Sequence, residues 1–259
     1  MKGKNRLLAI IKNIAQGEYS GEIMELTRDE FPDEIRDLAE AVGLMMVKIE
    51  AREFYLEQLN ERLRENVLKT VTATANALGA RDVYTEGHGT RVGAYAERLA
   101  KRLGLDEDEV RTIRIAGILH DIGKIGCSDR VFTDENAALS EDLLREIRQH
   151  PISGFDILKE LDFLGSALEY VSAHHERPDG SGYPYGLKAD QIPFGASIIS
   201  VADCFDAMTT TRPYRQGKTV DQALAILRKI AGTQLDQALV EAFIQEISEN
   251  GPEFDLTGP

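Results

Sequence analysis

Apolar residues recur at steps of three and four along most of the chain, and no run of alternating Val, Thr and Tyr is long enough to mark a strand. A chain patterned in this way buries helix stripes against other helix stripes, so the expected fold class is all-α. The stretch from Asp106 to Leu119 shows the pattern. Asp106 is an N-cap candidate with Glu109 three residues on, Val110, Ile113, Gly117 and Ile118 share a face, and Gly123 is expected to close the helix. A second start falls at Ser140, where Glu141 and Asp142 complement the helix dipole ahead of Leu143, Leu144 and Ile147. That helix is expected to run to His150, with Pro151 interrupting it.

Between Glu176 and Pro193, Pro178, Gly180, Gly182, Pro184 and Gly186 crowd together, which predicts a long loop, and long loops tend to be functional. Near the N-terminus, Gln16 to Gly21 reads as a turn between two helices, the second running from about Pro32. Phe54, Leu56, Leu59, Leu63, Val67 and Val71 then continue a narrow apolar stripe along one long helix. The stripe is compatible with a short parallel coiled coil and equally with a helix packed on its own domain.

At 259 residues and 42% hydrophobic composition, the chain has room for one substantial helical domain and a smaller N-terminal segment, divided at 1–64 and 65–259. No apolar run approaches the roughly 18 to 20 residues needed to cross a bilayer, so the expected location is cytoplasmic, with no membrane span. Cys127 and Cys204 form no Cys-x-x-Cys pair and read as small buried residues. The net charge of −14 argues against binding polymeric nucleic acid, which needs many Lys and Arg contacts to phosphates. A small anionic ligand needs a local cationic site, and divalent metals are the most concentrated source of positive charge.

All five histidines fall between residues 88 and 175. His120 and Asp121 end an apolar helix, and Asp203 lies in the apolar run from Ile198 to Phe205, where an unpaired carboxylate would be costly. Together with His88 they make a mixed imidazole and carboxylate set suited to Mn, Fe, Zn, Co or Ni. His150, His174 and His175 are enough for a second ion if Asp121 bridges, and paired metals are a recurring device for phosphoester cleavage.

The ordered set of His88, His120-Asp121 with Gly123-Lys124, His150, His174-His175-Glu176, Asp179-Gly180, Gly182-Tyr183-Pro184, Asp203 and Arg212-Pro213-Tyr214-Arg215 resembles the HD-GYP subgroup of the HD phosphohydrolase superfamily. The resemblance spans about Glu65 to about Ile247. It implies a compact HD-type helical bundle holding divalent transition metals, iron or manganese, and hydrolysing cyclic di-GMP or a related cyclic dinucleotide through a metal-bridging hydroxide. By that resemblance His88, His120, Asp121 and Asp203 hold one ion, and Asp121, His150, His174 and His175 hold the other. Some relatives carry a glutamate ligand for a third metal where this chain has Tyr84, so two ions are expected. Lys124 matches a contact to the scissile phosphate, Arg212 and Arg215 match phosphate-binding residues, and Tyr183 shapes the site. Catalysis is thereby assigned to Asp121 and Lys124.

Two positions depart from the subgroup: Gly89 replaces a serine, and Asp134, Glu135, Asn136 and Ala137 replace a Lys-Pro-Gly stretch. The second change bears on affinity and substrate choice. The N-terminal segment resembles a HAMP-like signalling element through Ile14 to Tyr19 and Asp29-Glu30, which implies a homodimer. A catalytically weak receptor that binds the nucleotide and signals through its N-terminal helices is the alternative to an enzyme.

Overall fold

The computed structural model describes residues 2–81, 87–133, 140–211 and 216–253. Arg212, Arg215, Tyr84 and residues 134–137 lie outside them. Every regular element among the described residues is helical, as the periodicity predicts; the only extended pairings there are isolated bridges, Asp179 with Lys188 and Ala231 with Leu235. Among these residues no helix is long and apolar enough to cross a membrane.

The chain divides into two compact units, Met1–Leu68 and Lys69–Pro259. In the first, α1 (Lys2–Ile14) turns Leu7, Ile10 and Ile14 to one side, three and four residues apart. They pack with Ile23 and Leu26 of a short 3-10 turn and with Ala39 and Met46 of α2 (Asp33–Arg81). Further along α2, Phe54, Leu56, Leu59 and Leu63 of the apolar stripe are exposed.

The second unit is built on α3 (His88–Arg102), α4 (Glu107–Leu119), α8 (Ala167–Ala173) and α9 (Phe194–Thr209), with α10 (Val220–Ile230) packed on α9 and α11 (Gln237–Asn250) packed on α3, α9 and α10. Between them lie α5 (Arg130–Thr133), α6 (Glu141–Arg148) and α7 (His150–Leu158). Helix α9 is apolar around most of its circumference, so neighbours must cover it on several sides. Its Phe205 meets the rings of Tyr95 and Phe243 edge-on, both at 5.1 Å between centroids, in a junction of α3, α9 and α11. Truncating a buried ring of this kind costs about 3–5 kcal/mol. Helices α3 and α4 approach closely at Gly93 and Gly117, where a Cβ on Gly117 would lie 2.9 Å from the Gly93 Cα. That contact brings the start of α3 beside the end of α4.

The local start signals hold. Asp106 accepts from the Glu109 amide at 2.9 Å, and Ser140 accepts from the Leu143 amide at 3.3 Å. Two expected helix ends differ. Helix α4 stops at Leu119, and Gly123 sits inside a 3-10 turn, Ile122–Gly126. Its lack of a side chain serves a tertiary contact, because a Cβ there would lie 1.9 Å from the His150 carbonyl oxygen. Helix α6 stops at Arg148, and His150 begins α7 with Pro151 in the first turn. Proline suits that position, where an amide hydrogen has no intrahelical acceptor.

Candidate metal centre

Five helix ends and the middle of α9 meet at one place. His88 is the first residue of α3, His120 follows the last residue of α4, Asp121 enters the 3-10 turn, His150 opens α7, and His174 and His175 follow α8. Asp203 comes from α9. All seven sequence-predicted ligands are therefore gathered. The rings of His88 and His120 lie 5.1 Å apart, those of His120 and His174 4.9 Å, and those of His174 and His175 4.0 Å.

The outer nitrogens of these rings explain how the inner ones face. His120, His150 and His174 each donate Nδ1–H at 2.7 Å to a backbone carbonyl three residues earlier, on Gly117, Ile147 and Val171. In the neutral ring this leaves Nε2 as a bare acceptor turned inward. Asp121 Oδ1 is buried and accepts no hydrogen bond. His150 Nε2 lies only 3.2 Å from it, but with the ring proton on Nδ1 both atoms present lone pairs, so the approach is not a hydrogen bond. The His150 and His174 Nε2 atoms likewise face one another at 3.3 Å. On the other side of Asp121, His88 Nε2 is 3.2 Å from Asp203 Oδ1 and 3.9 Å from Asp121 Oδ2. His120 Nε2 is 3.4 Å from Asp121 Oδ2 and 3.9 Å from Asp203 Oδ1.

Donor atoms of Asp121, His150, His174 and His175 are mutually close enough to share one cation, and so are those of His88, His120 and Asp121. Bare acceptors aimed at each other around an unsatisfied carboxylate oxygen are repulsive unless positive charge lies between them, so the cluster fits divalent metal. On the side of His150, His174 and His175 the titration behaviour agrees. Burial lowers His150 to about 4 and His175 to about 3, and burial with the neighbouring imidazoles holds His174 well below the usual histidine range. These rings are neutral at pH 7, as metal binding requires. Burial opposes ionisation of both carboxylates, yet the Lys124 ammonium keeps Asp121 well below the usual carboxylate range, and the hydrogen bond from His88 does the same for Asp203. Burial would also lower His88, but Asp203 and Asp206 together raise it to about 10, so without an ion this ring is protonated at pH 7 and an ion on that side must displace its Nε2 proton.

Of the other predicted residues, Lys124 is at the centre, donating from Nζ to Asp121 Oδ2 at 2.6 Å. Tyr183 lies over His175 with 4.7 Å between ring centroids and a 32° tilt, and the Arg148 guanidinium stands 5.9 Å from the phenol ring. An open cleft of about 500 Å³ continues from Tyr183 and Pro184 along Arg145, Arg148 and Ile152. The loop holding Tyr183 is organised by Glu176, whose buried carboxylate accepts from the amides of Tyr185 (2.6 Å), Gly186 (3.2 Å) and Leu187 (2.9 Å).

Sequence reasoning passed over two residues here. Asp206 accepts from His88 Nδ1 at 2.7 Å, and Arg91 donates to both oxygens of that carboxylate. Asp206 shares an apolar helix with Asp203 three positions earlier, so the signal that marked one buried carboxylate was also available for the other.

The helical bundle and its internal cluster define an all-α domain with a candidate divalent-metal centre. The chain belongs to the HD domain family, whose sequence model matches residues 62–239. It is 36% identical over 214 residues to the cyclic di-GMP phosphodiesterase response regulator RpfG of Xanthomonas campestris pv. campestris, covering 82% of this chain and 56% of the relative. A cyclic di-GMP phosphodiesterase of Thermotoga maritima is 37% identical over 205 residues, covering 78% of this chain and 54% of the relative. The chain thus spans little more than half the length of these curated relatives. The solved structure of a cyclic GMP-AMP specific phosphodiesterase from Vibrio cholerae shares the fold, with a TM-score of 0.58, 21% identity and coverage of 71% of this chain and 49% of the other.

Proposed function

We propose that this chain is an HD-GYP-type phosphodiesterase domain that hydrolyses a 3′,5′-phosphodiester of a cyclic dinucleotide, cyclic di-GMP first among them. The observation that carries this reading is the convergence of imidazole Nε2 atoms on the carboxylate of Asp121, one oxygen of which is buried and unsatisfied. The relatives named for cyclic di-GMP and cyclic GMP-AMP hydrolysis support the substrate class.

His88, His120, Asp121 and Asp203 would hold one ion, and Asp121, His150, His174 and His175 the other, with iron or manganese suiting the mixed nitrogen and oxygen set. Bound ions would make water acidic enough to attack phosphorus near neutral pH and would offset phosphate charge. The protein's own groups do the rest. Lys124, already at the rim of Asp121, offers a point charge to the scissile phosphate, where charge builds up during attack. Tyr183 presents a ring face on which a base can stack. The cleft beyond it, with Arg145 and Arg148 on its wall, has room for the rest of a dinucleotide. Arg212 and Arg215 are read as further phosphate contacts from their sequence motif alone.

Residues 1–64 are read as a signalling or dimerisation segment, and the exposed Leu56, Leu59 and Leu63, which share one side of α2, supply an apolar face for a second copy. The catalytic reading is tested by incubating protein loaded with Mn(II), or anaerobically with Fe(II), with cyclic di-GMP and following linear dinucleotide and GMP. Turnover in the wild type and its loss in Asp121→Ala is the expected result. Undiminished turnover in Asp121→Ala removes the shared carboxylate from the mechanism, and tight nucleotide binding without product makes the chain a receptor.

A further inference from the structure

We infer that Asp206 is a positioning residue for the ion on the His88 side of the centre, clamped by Arg91, and that it makes the two ion positions chemically unequal. The inference rests on the two-ion reading above.

The inequality begins with the acceptor paired with Nδ1. His120, His150 and His174 stand at or next to helix ends where a carbonyl three residues back is within reach, and each uses one, a neutral acceptor. His88 opens its helix as His150 does, yet its Nδ1 is paired with a different kind of acceptor. Its acceptor comes from across the fold, from the carboxylate of Asp206, 118 positions later. Asp206 is 1% exposed. A carboxylate so placed is tolerated only when its charge is matched and its oxygens are occupied.

Both conditions are met. Arg91, three residues beyond His88 and on the same face of α3, donates from Nε to Oδ1 at 2.6 Å and from Nη2 to Oδ2 at 3.0 Å, the two-pronged geometry suited to carboxylates. The Thr210 hydroxyl adds a bond to Oδ2 at 3.2 Å and accepts one from Arg91 Nη2 at 3.2 Å. With these partners and His88, both oxygens of Asp206 are engaged, so it acts on the centre through the imidazole. Asp203 and Asp206, three apart on α9, thus divide the work: one faces the centre, the other orients its neighbour.

An anionic acceptor on Nδ1 raises the basicity of the ring and fixes its plane more firmly than a carbonyl does, and loss of such a partner commonly weakens metal binding about 10- to 100-fold. Only the ion that His88 touches should feel that loss. The test is Mn(II) titration of the wild type and of Asp206→Asn, which keeps the shape and removes the charge. Both dissociation constants are read by competition with a fluorescent chelator, and the coupled-ion signal by electron paramagnetic resonance.

The wild type is expected to bind two ions. Asp206→Asn is expected to keep one at wild-type affinity, to hold the other about 10- to 100-fold more weakly, and to show an uncoupled Mn(II) signal at intermediate loading. Arg91→Lys keeps the charge but loses the fork, and should weaken the same ion by less, which preserves the test if Asp206→Asn does not fold. Two ions at wild-type affinity in both folded variants overturn the inference. Equal weakening of both ions also overturns it, since Asp206 would then be holding the bundle and not one site. A wild type that takes up no Mn(II) overturns the two-ion reading itself, and the inference with it.

Discussion

Replacing Gly123 by alanine places a methyl group where the backbone of α7 now passes. The new Cβ would sit 1.9 Å from the His150 carbonyl oxygen and 2.5 Å from the Gly154 amide nitrogen, both main-chain atoms that cannot rotate away. Ordinary contact begins near 3.4 Å, so the 3-10 turn and the start of α7 must part by about 1.5 Å. The turn carries Asp121 and the helix carries His150, whose Nε2 and Oδ1 now lie 3.2 Å apart. Metal bonds tolerate deviations of only about 0.2 Å, so a separation of that size detaches His150 from any ion that Asp121 retains. Overpacking of this kind costs about 1–3 kcal/mol, and a domain of this size loses about 2–4 °C of Tm for each kcal/mol. Differential scanning fluorimetry and metal analysis after desalting check both effects. The expected outcome is a folded protein with a Tm lower by several degrees and one ion fewer per chain than the wild type. Gly123→Ala with wild-type Tm and wild-type metal content would refute the argument that this glycine sets the distance between the two halves of the site.

Lys124→Ala removes the ammonium from the rim of Asp121 and should lower kcat about 100-fold or more while metal content stays the same, which steady-state kinetics with parallel metal analysis will check. Tyr183→Ala should raise KM for a cyclic dinucleotide by roughly 5- to 150-fold, the worth of one base stacked on one ring, and leave hydrolysis of bis(p-nitrophenyl) phosphate nearly unchanged. Stripping metal with a chelator should lower Tm, and re-addition of Mn(II) at about 100 times its Kd should restore about 2.7 kcal/mol; a Tm indifferent to metal would contradict a centre that binds ions only when folded.

Much of the fold was legible because its signals are local. Asp106 and Ser140 cap helices with their own side chains, within three residues, so the pattern of a polar cap before an apolar run sufficed. Gly123 and Pro151 were misread for the opposite reason. Glycine stops a helix or admits a neighbouring backbone, and for Gly123 which applies depends on the chain passing at His150, well outside its local pattern; proline ends one helix or begins the next, and the residues around Pro151 suit either. The ligand set was readable because imidazoles and carboxylates in apolar stretches are expensive without partners. Asp206 carries the same local signal as Asp203, a carboxylate in an apolar helix, but its orienting role depends on His88 and Arg91, more than a hundred positions away, and is not written near it.

In the proposed centre, seven side chains hold two ions around one shared aspartate. Crystals of the Mn(II)- or Fe(II)-loaded protein, measured on both sides of the metal absorption edge, test it directly. Two anomalous peaks, each within bonding distance of a different oxygen of Asp121, one beside His88 and the other beside His150, are predicted. A single peak away from Asp121, or none in protein shown to be loaded, would contradict it.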